Sequence, residues 1–202
     1  MGGFLGKGYG GEAVFRELVQ PEDGTLDTKF PLEMIPKCGD PLNLPFSANT
    51  KGLSIRDGSI DIDANDSLVF GFYESVQRNV RITLRVKPKL DAQYFGLCFR
   101  GEGNYEKGCE LRFEPSRQRV QYGSPDSGGM APESNRCING VTGLDKDFTL
   151  DIIVKNDFIG TCIDNRRTII TRFSDTLEGD RLFLFASNGD VTFGDIQIRP
   201  LI

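Results

Sequence analysis

The feature that most narrows the fold is a succession of short segments, from residue 46 to the end, in which apolar and polar residues trade places. They read as strands at 67–74, 80–86, 94–100, 109–114, 148–154, 158–164, 168–173, 181–186 and 191–199. A period of two puts alternate side chains on opposite faces, so each segment offers one apolar face to a core. Turn chemistry separates them: Asp57-Gly58, Asn139-Gly140, Glu178-Gly179-Asp180 and Asn188-Gly189-Asp190. Many short strands at about 8–12 residue spacing predict a sandwich or barrel. A chain of 202 residues buries roughly 70% of its unfolded surface, which suffices for one large all-β domain. The longest loop expected is about 123–142, rich in Gly, Pro, Ser and Asn.

Two strands can be registered from the sequence. Phe95, Leu97 and Phe99 alternate, as do Cys109, Leu111 and Phe113. An antiparallel pairing of Phe95 with Phe113, Leu97 with Leu111 and Phe99 with Cys109 unites the apolar faces, whereas a one-residue slip sets Leu97 against Glu110. The connection at 102–106 then has an ordinary hairpin length. This register places Cys98 and Cys109 on opposite faces, which disulfide geometry does not allow. Cys109 reads as core filler and Cys98 as a free thiol on the far face. Five cysteines with no C-x-x-C pair suit reduced thiols better than a disulfide framework.

The same register lines the far face with Tyr94, Cys98 and Arg100 on one strand and Glu110, Arg112 and Glu114 on the next. If the strand 80–86 lies beside them, Arg81, Thr83 and Arg85 join that face. Such a face is either a solvated sheet surface or a sugar site, since sugars are held by planar polar groups and a stacking ring. Trp, the strongest stacking platform, is absent. Glu110 and Glu114 share the face but lie roughly 13 Å apart at about 3.3 Å per residue. That is too wide for retaining or inverting glycoside hydrolysis, which want about 5–5.5 Å and about 6.5–9.5 Å.

The first 45 residues differ in kind. Glycines crowd the start, and Pro21, Pro31, Pro36, Pro41 and Pro45 follow. Residues 12–20 suit either a short helix or a strand, and periodicity cannot decide over so few positions. The prolines after them predict an extended arm.

Several functions are bounded by what is missing. With no histidine, Ser-His-Asp and Cys-His nucleophile systems and His-ligated zinc cannot be assembled. A net charge of −5 with no Lys/Arg run argues against nucleic acid, which wants a basic stripe. No apolar run approaches the ~20 residues of a membrane helix, so no membrane partner is expected. The opening residues lack the pattern of a secretory leader, and the compartment stays open. Gly6-Lys-Gly8-Tyr-Gly10-Gly11 satisfies G-x-G-x-x-G but has no preceding strand and no βαβ unit. Asp61, Asp63 and Asn65 have the spacing of a calcium loop, yet Asp66 and Phe72 stand where Gly and Glu are needed. No cofactor and no metal are expected.

The segment from Leu150 to Arg172, with Asn156, Thr161, Ile163 and Asn165, resembles the C-terminal β-sandwich of glycoside hydrolase family 32, the invertases, inulinases and levanases. The stretch from Arg181 to Leu201 is similar to that family's closing strand pair. Gly10-Gly11-Glu-Ala-Val-Phe-Arg16-Glu17-Leu18, followed by Asp23-Gly24-Thr-Leu26, resembles the segment that joins the family's catalytic propeller to its sandwich, with Phe15 in place of a signature proline. Asn156, Thr161 and Ile163 depart from the family's aspartate, glutamate and phenylalanine, so the resemblance carries fold more than contacts. It also extends to the wider concanavalin A-like lectin and glucanase group. In family 32 the catalytic groups sit in Asn-Asp-Pro, Arg-Asp-Pro and Glu-Cys motifs of the propeller, and this chain has none of the three.

The expectations are therefore an arm at 1–45 and a two-sheet antiparallel β-sandwich, a concanavalin A-like jelly roll, at 46–202. The expected function is a non-catalytic, carbohydrate-associated module with no catalytic residues. Arg85, Tyr94, Arg100, Glu110 and Arg112 would contact glycan of the fructan or β-glucan class. The module would bind glycan or stabilise a partner hydrolase, and two alternatives remain: a small hydrolase of the glucanase group, and a structural remnant that dimerises through its arm.

Overall fold

The computed structural model describes residues 2–5, 12–22, 24–89, 92–125, 136–174 and 176–202. Strands form at β1 (Gly2–Leu5), β2 (Glu12–Phe15), β3 (Glu17–Val19), β4 (Asp27–Lys29), β5 (Phe46–Ala48), β6 (Leu53–Arg56), β7 (Ser59–Tyr73) and β8 (Val80–Pro88). They continue with β9 (Tyr94–Glu102), β10 (Lys107–Glu114), β11 (Arg119–Gly123), β12 (Cys137–Asn139), β13 (Phe148–Lys155), β14 (Phe158–Ile163), β15 (Arg167–Arg172) and β16 (Arg181–Pro200). The glycine-rich motif at 6–11 and residues 126–135 of the 123–142 loop lie outside the described residues.

Two antiparallel layers face each other, as the sandwich expectation requires. One, here sheet A, runs β5, the later half of β7, the earlier half of β16, β9, β10, β11 and β12. The other, sheet B, runs β6, the earlier half of β7, the later half of β16, β8, β13, β14 and β15. β7 and β16 are paired from Leu182 opposite Tyr73 to Phe193 opposite Ile60, and both pass from one layer into the other. This corrects one expectation: Asn188-Gly189-Asp190 is not a turn between two strands. The strand bends there, with Asn188 at φ 50° and Gly189 at φ 147°, and the register shifts by a bulge. It continues because β7 flanks it on one side throughout, while β9 gives way to β8 on the other. Asp57-Gly58 is a turn as expected, with both residues at positive φ (47° and 75°) between β6 and β7.

The registered hairpin forms as read: Phe95 opposes Phe113, Leu97 opposes Leu111 and Phe99 opposes Cys109. Its apolar face meets sheet B. The Phe148 ring lies 5.3 Å from Phe113 and 6.2 Å from Phe95. Each of these wholly buried rings contributes about 1.5–3 kcal/mol by leaving water. One polar link crosses the core, a 2.7 Å hydrogen bond between the hydroxyls of Tyr122 on sheet A and Thr161 on sheet B.

The arm forms short strands rather than a helix and packs on the outer face of sheet B. Phe30 is buried there against Ile153 and Cys162, with Ile35 and Leu201 beside them. The Arg16 guanidinium lies over the Phe30 ring at 5.0 Å. Asp27 receives Arg167 at 2.6 Å, and Thr28 N–H donates to the Arg166 carbonyl at 2.9 Å. Gly160 leaves the floor low under Phe30, whose ring carbons would stand 3.6 Å from an added Cβ.

Candidate functional site

The outer face of sheet A is built in rows set by the registers. Phe72, Phe183, Cys98 and Glu110 form one row; Phe70, Phe185, Gly96, Arg112 and Gln121 form the next. Tyr94 pairs with Ser187 on the row after, and Glu114 pairs with Arg119. Gly96 leaves no side chain between Phe185 and Arg112, and an added Cβ would stand 1.9 Å from the Leu111 carbonyl oxygen.

This face is not solvated, contrary to the sheet-surface expectation. Tyr105, from the β9–β10 loop, folds back over it. Its ring lies 5.3 Å from each of Phe70, Phe183 and Phe185. Its hydroxyl donates to Glu110 Oε2 at 2.6 Å. Arg112 Nε donates to Glu110 Oε1 at 2.5 Å, and the Arg112 guanidinium lies 4.2 Å over the Tyr94 ring. The Glu110 and Arg112 side chains are 1% and 9% exposed. Burial raises the Glu110 carboxyl, while Arg112 and Tyr105 pull it back down only in part. Arg112 is held charged: burial opposes its proton, and Glu110 more than restores it. Glu114 is likewise engaged, by Arg119 at 2.7 Å and Gln121 at 2.7 Å. Cys98 is a free thiol on this face, as read, but it is fully buried. Burial pushes its acidity well down, with Glu110 adding to the effect.

The five residues expected to share a site are thus divided. Tyr94, Glu110 and Arg112 stay together. Arg85 does not join them, because β16 lies between β8 and β9 and β8 belongs to sheet B. Arg100 leaves the face as well: it adopts φ 51° at an irregularity in the β9–β10 ladder. Its guanidinium stacks on Phe173 at 3.9 Å and donates to the Asn156 carbonyl.

An open concavity lies on sheet B. A groove of about 740 Å³ lies between the outer face of β8, β13 and β16 and the arm residues Lys29–Ile35. Arg81 Nε and Nη2 each donate to the Asp151 carboxylate at 2.8 Å, a bidentate pair. This hydrogen bonding is what raises the Arg81 pKa most. Thr149 donates through N–H and hydroxyl to Asp164 at 2.7 and 3.2 Å, and Arg166 holds the other Asp164 oxygen at 3.1 Å. Arg85 pairs with Asp147 at 2.9 Å. Thr83, Asn165, Asp195 and Gln197 add to the polar lining, and Phe30 and Ile35 to the apolar one. Sequence reading missed this groove because the arm that walls it has no periodicity. The signal was present in the polar sides of 80–86 and 148–154, which alternate against the core. Tyr105 was missed because turn residues carry no alternation. Asp61 lies within β7, accepting from Thr192 at 2.5 Å, and no cluster of metal ligands occurs among the described residues.

No family model matches the chain, and no curated protein does. Solved structures do. The carbohydrate binding module CBM66 from Bacillus subtilis is similar at a TM-score of 0.65 and 12% identity, over 78% of this chain and 97% of that one. The exo-inulinase from Aspergillus awamori is similar at 0.59 and 11%, over 97% of this chain and 37% of that one. The sucrose-6-phosphate hydrolase from Lactobacillus gasseri gives 0.53 and 14%, over 93% and 33%. The fold is a concanavalin-like sandwich. It is the kind seen in family 32 hydrolases, and this chain spans about a third of each of the two hydrolases it resembles.

Proposed function

We propose that the chain is a non-catalytic, carbohydrate-associated sandwich module that takes glycan in the groove between its arm and sheet B. The observation that carries this reading is the groove itself. Its volume falls within the range of about 300–1,000 Å³ typical of ligand sites. Its planar groups are fixed in advance by ion pairs and hydrogen bonds, so little side-chain entropy remains to be lost on binding. Of the residues singled out by sequence, Arg85 lines it; Tyr94 is the accessible member on the opposite sheet. Glu110 and Arg112 are assigned to holding that sheet face together. Fructan or β-glucan is the glycan class proposed, from the sequence resemblance and the similar folds.

The arm is proposed to meet a partner hydrolase or a second copy. It carries the exposed Phe15, Leu18, Leu26, Leu32 and Met34, the last 54% exposed. The similarity to the binding module covers 78% of this chain, whereas that to the exo-inulinase covers 97%.

A glycan-array screen followed by calorimetry on wild type, Gln197→Ala and Tyr94→Ala tests the reading. Saturable binding lost in Gln197→Ala and kept in Tyr94→Ala is expected. Loss in Tyr94→Ala alone would move the site to sheet A, and release of reducing sugar would replace the module with a hydrolase. Light scattering reports whether the arm makes a dimer.

A further inference from the structure

Arg100 is the one predicted contact whose place the fold goes furthest to fix. By alternation it belongs on the outer face of sheet A with Tyr94 and Cys98. Instead its backbone adopts φ 51°, a region that residues other than Asn, Asp and Gly seldom enter. Three glycines permit this. A Cβ at Gly101 would stand 2.1 Å from the Phe183 ring, and one at Gly108, which has φ 150°, 2.3 Å from Cys98 Sγ. One at Gly179 would stand 2.2 Å from the Gly101 carbonyl oxygen and 2.7 Å from that of Arg100. A strained arginine so held points to a task at the place where it arrives.

That place is a pocket of about 340 Å³ at one end of the sandwich. Arg78 lines it too, exposed, with no hydrogen bond or ion pair to another described residue. The two guanidinium groups oppose each other's charge: burial lowers the Arg100 pKa most, and Arg78 adds to the lowering. Arg100 Nε is buried with no hydrogen-bond partner. Asn79 Oδ1 accepts from Asn156 N–H at 2.7 Å, so its amide NH₂ remains a donor. Ser174 lies on the rim. The facing carboxylate, Asp157, pairs with Arg172 and offsets part of the effect of Arg78 on Arg100, and Asp180 lines the narrow cleft beyond. Like charges are thus concentrated, with a donor unspent, in a chain whose net charge is −5.

We propose that this pocket binds the anionic group of an acidic sugar, a carboxylate or an ester sulfate, between Arg78 and Arg100. An anion there relieves the repulsion between the two arginines and supplies an acceptor for the unpartnered Arg100 Nε. The site is separate from the groove, so it stands or falls apart from where a neutral glycan binds.

The test is a titration of the folded chain with D-glucuronate, D-glucose and sodium sulfate, followed through arginine Nε–Hε resonances. Arg100→Lys assigns the Arg100 signal. Glucuronate is expected to move that signal saturably and glucose to leave it still. Arg78→Ala, an exposed change, is expected to weaken glucuronate about tenfold, as loss of one charged hydrogen bond does. No shift at Arg100, or a titration unaltered in Arg78→Ala, would overturn the site. Sulfate binding as tightly as glucuronate would overturn its assignment to a sugar. Loss of neutral-glycan binding in Gln197→Ala would leave this result unchanged.

Discussion

Arg112→Ala separates a structural arginine from a surface one. The Glu110 side chain is 1% exposed, and Arg112 and Tyr105 supply its hydrogen bonds. Truncating Arg112 leaves a buried carboxylate with one neutral donor. Breaking a buried pair from one side costs about 3–5 kcal/mol, against a total stability of about 5–15 kcal/mol for a typical domain. The contact over Tyr94 at 4.2 Å is lost as well. Urea unfolding at pH 7 should show that loss. A Glu110→Gln/Arg112→Met double variant, which removes both charges, should recover most of it. The pH dependence has a definite sign. Burial already raises the Glu110 carboxyl above its ordinary 4.5, and without Arg112 it rises further. A raised carboxyl stabilises the fold below its ordinary value and loses that contribution as pH climbs through the raised one. The deficit of Arg112→Ala should therefore shrink between pH 7 and pH 4.5. A cost below about 1 kcal/mol, the worth of an exposed pair, would refute the reasoning.

Two further outcomes follow from the core. Gly96→Ala places a Cβ 1.9 Å from the backbone oxygen of Leu111, so the β9–β10 ladder must part; chemical denaturation should show a loss of about 1–3 kcal/mol or more. Burial lifts the Cys109 thiol from 9.0 to about 12, so its own contribution to stability should be intact below pH 9 and fall by about 1.4 kcal/mol per pH unit from there to pH 12, read as the difference between wild type and Cys109→Ala. In the folded chain at pH 8, iodoacetamide should label the partly exposed Cys38 and Cys137 and spare Cys98 and Cys109; equal labelling would contradict the burial.

The parts of this fold legible in the sequence are those where one face is apolar. Phe95, Leu97 and Phe99 meet Phe113, Leu111 and Cys109 because a one-residue slip would set Leu97 against Glu110. The strands around Leu150 and Arg181 are legible for the same reason. Alternation says nothing about where a strand bends. It therefore read Asn188-Gly189 as a stop, when pairing on both edges carries β16 through. It also presumes an unbroken ladder, and so kept Arg100 beside Tyr94. The glycines that break it, Gly101, Gly108 and Gly179, are in plain view, but their effect depends on Phe183 and Cys98, which tertiary packing brings. Neighbours in the sequence need not be neighbours in the sheet: β8, with Arg85, does not adjoin β9, with Tyr94, because β16, which comes last in the chain, lies between them. The arm reads as extended, but where it docks does not, since Phe30 and Ile35 owe their burial to Ile153, Cys162 and Leu201.

The groove beneath the arm is the proposed place of glycan binding. Backbone and side-chain resonances followed during titration with the best array ligand test it directly. Saturable shifts clustered at Thr83, Thr149, Asn165 and Gln197, and lost in Gln197→Ala, are the predicted result. Shifts confined to Tyr94 and its neighbours on sheet A, or none with any glycan, would contradict it.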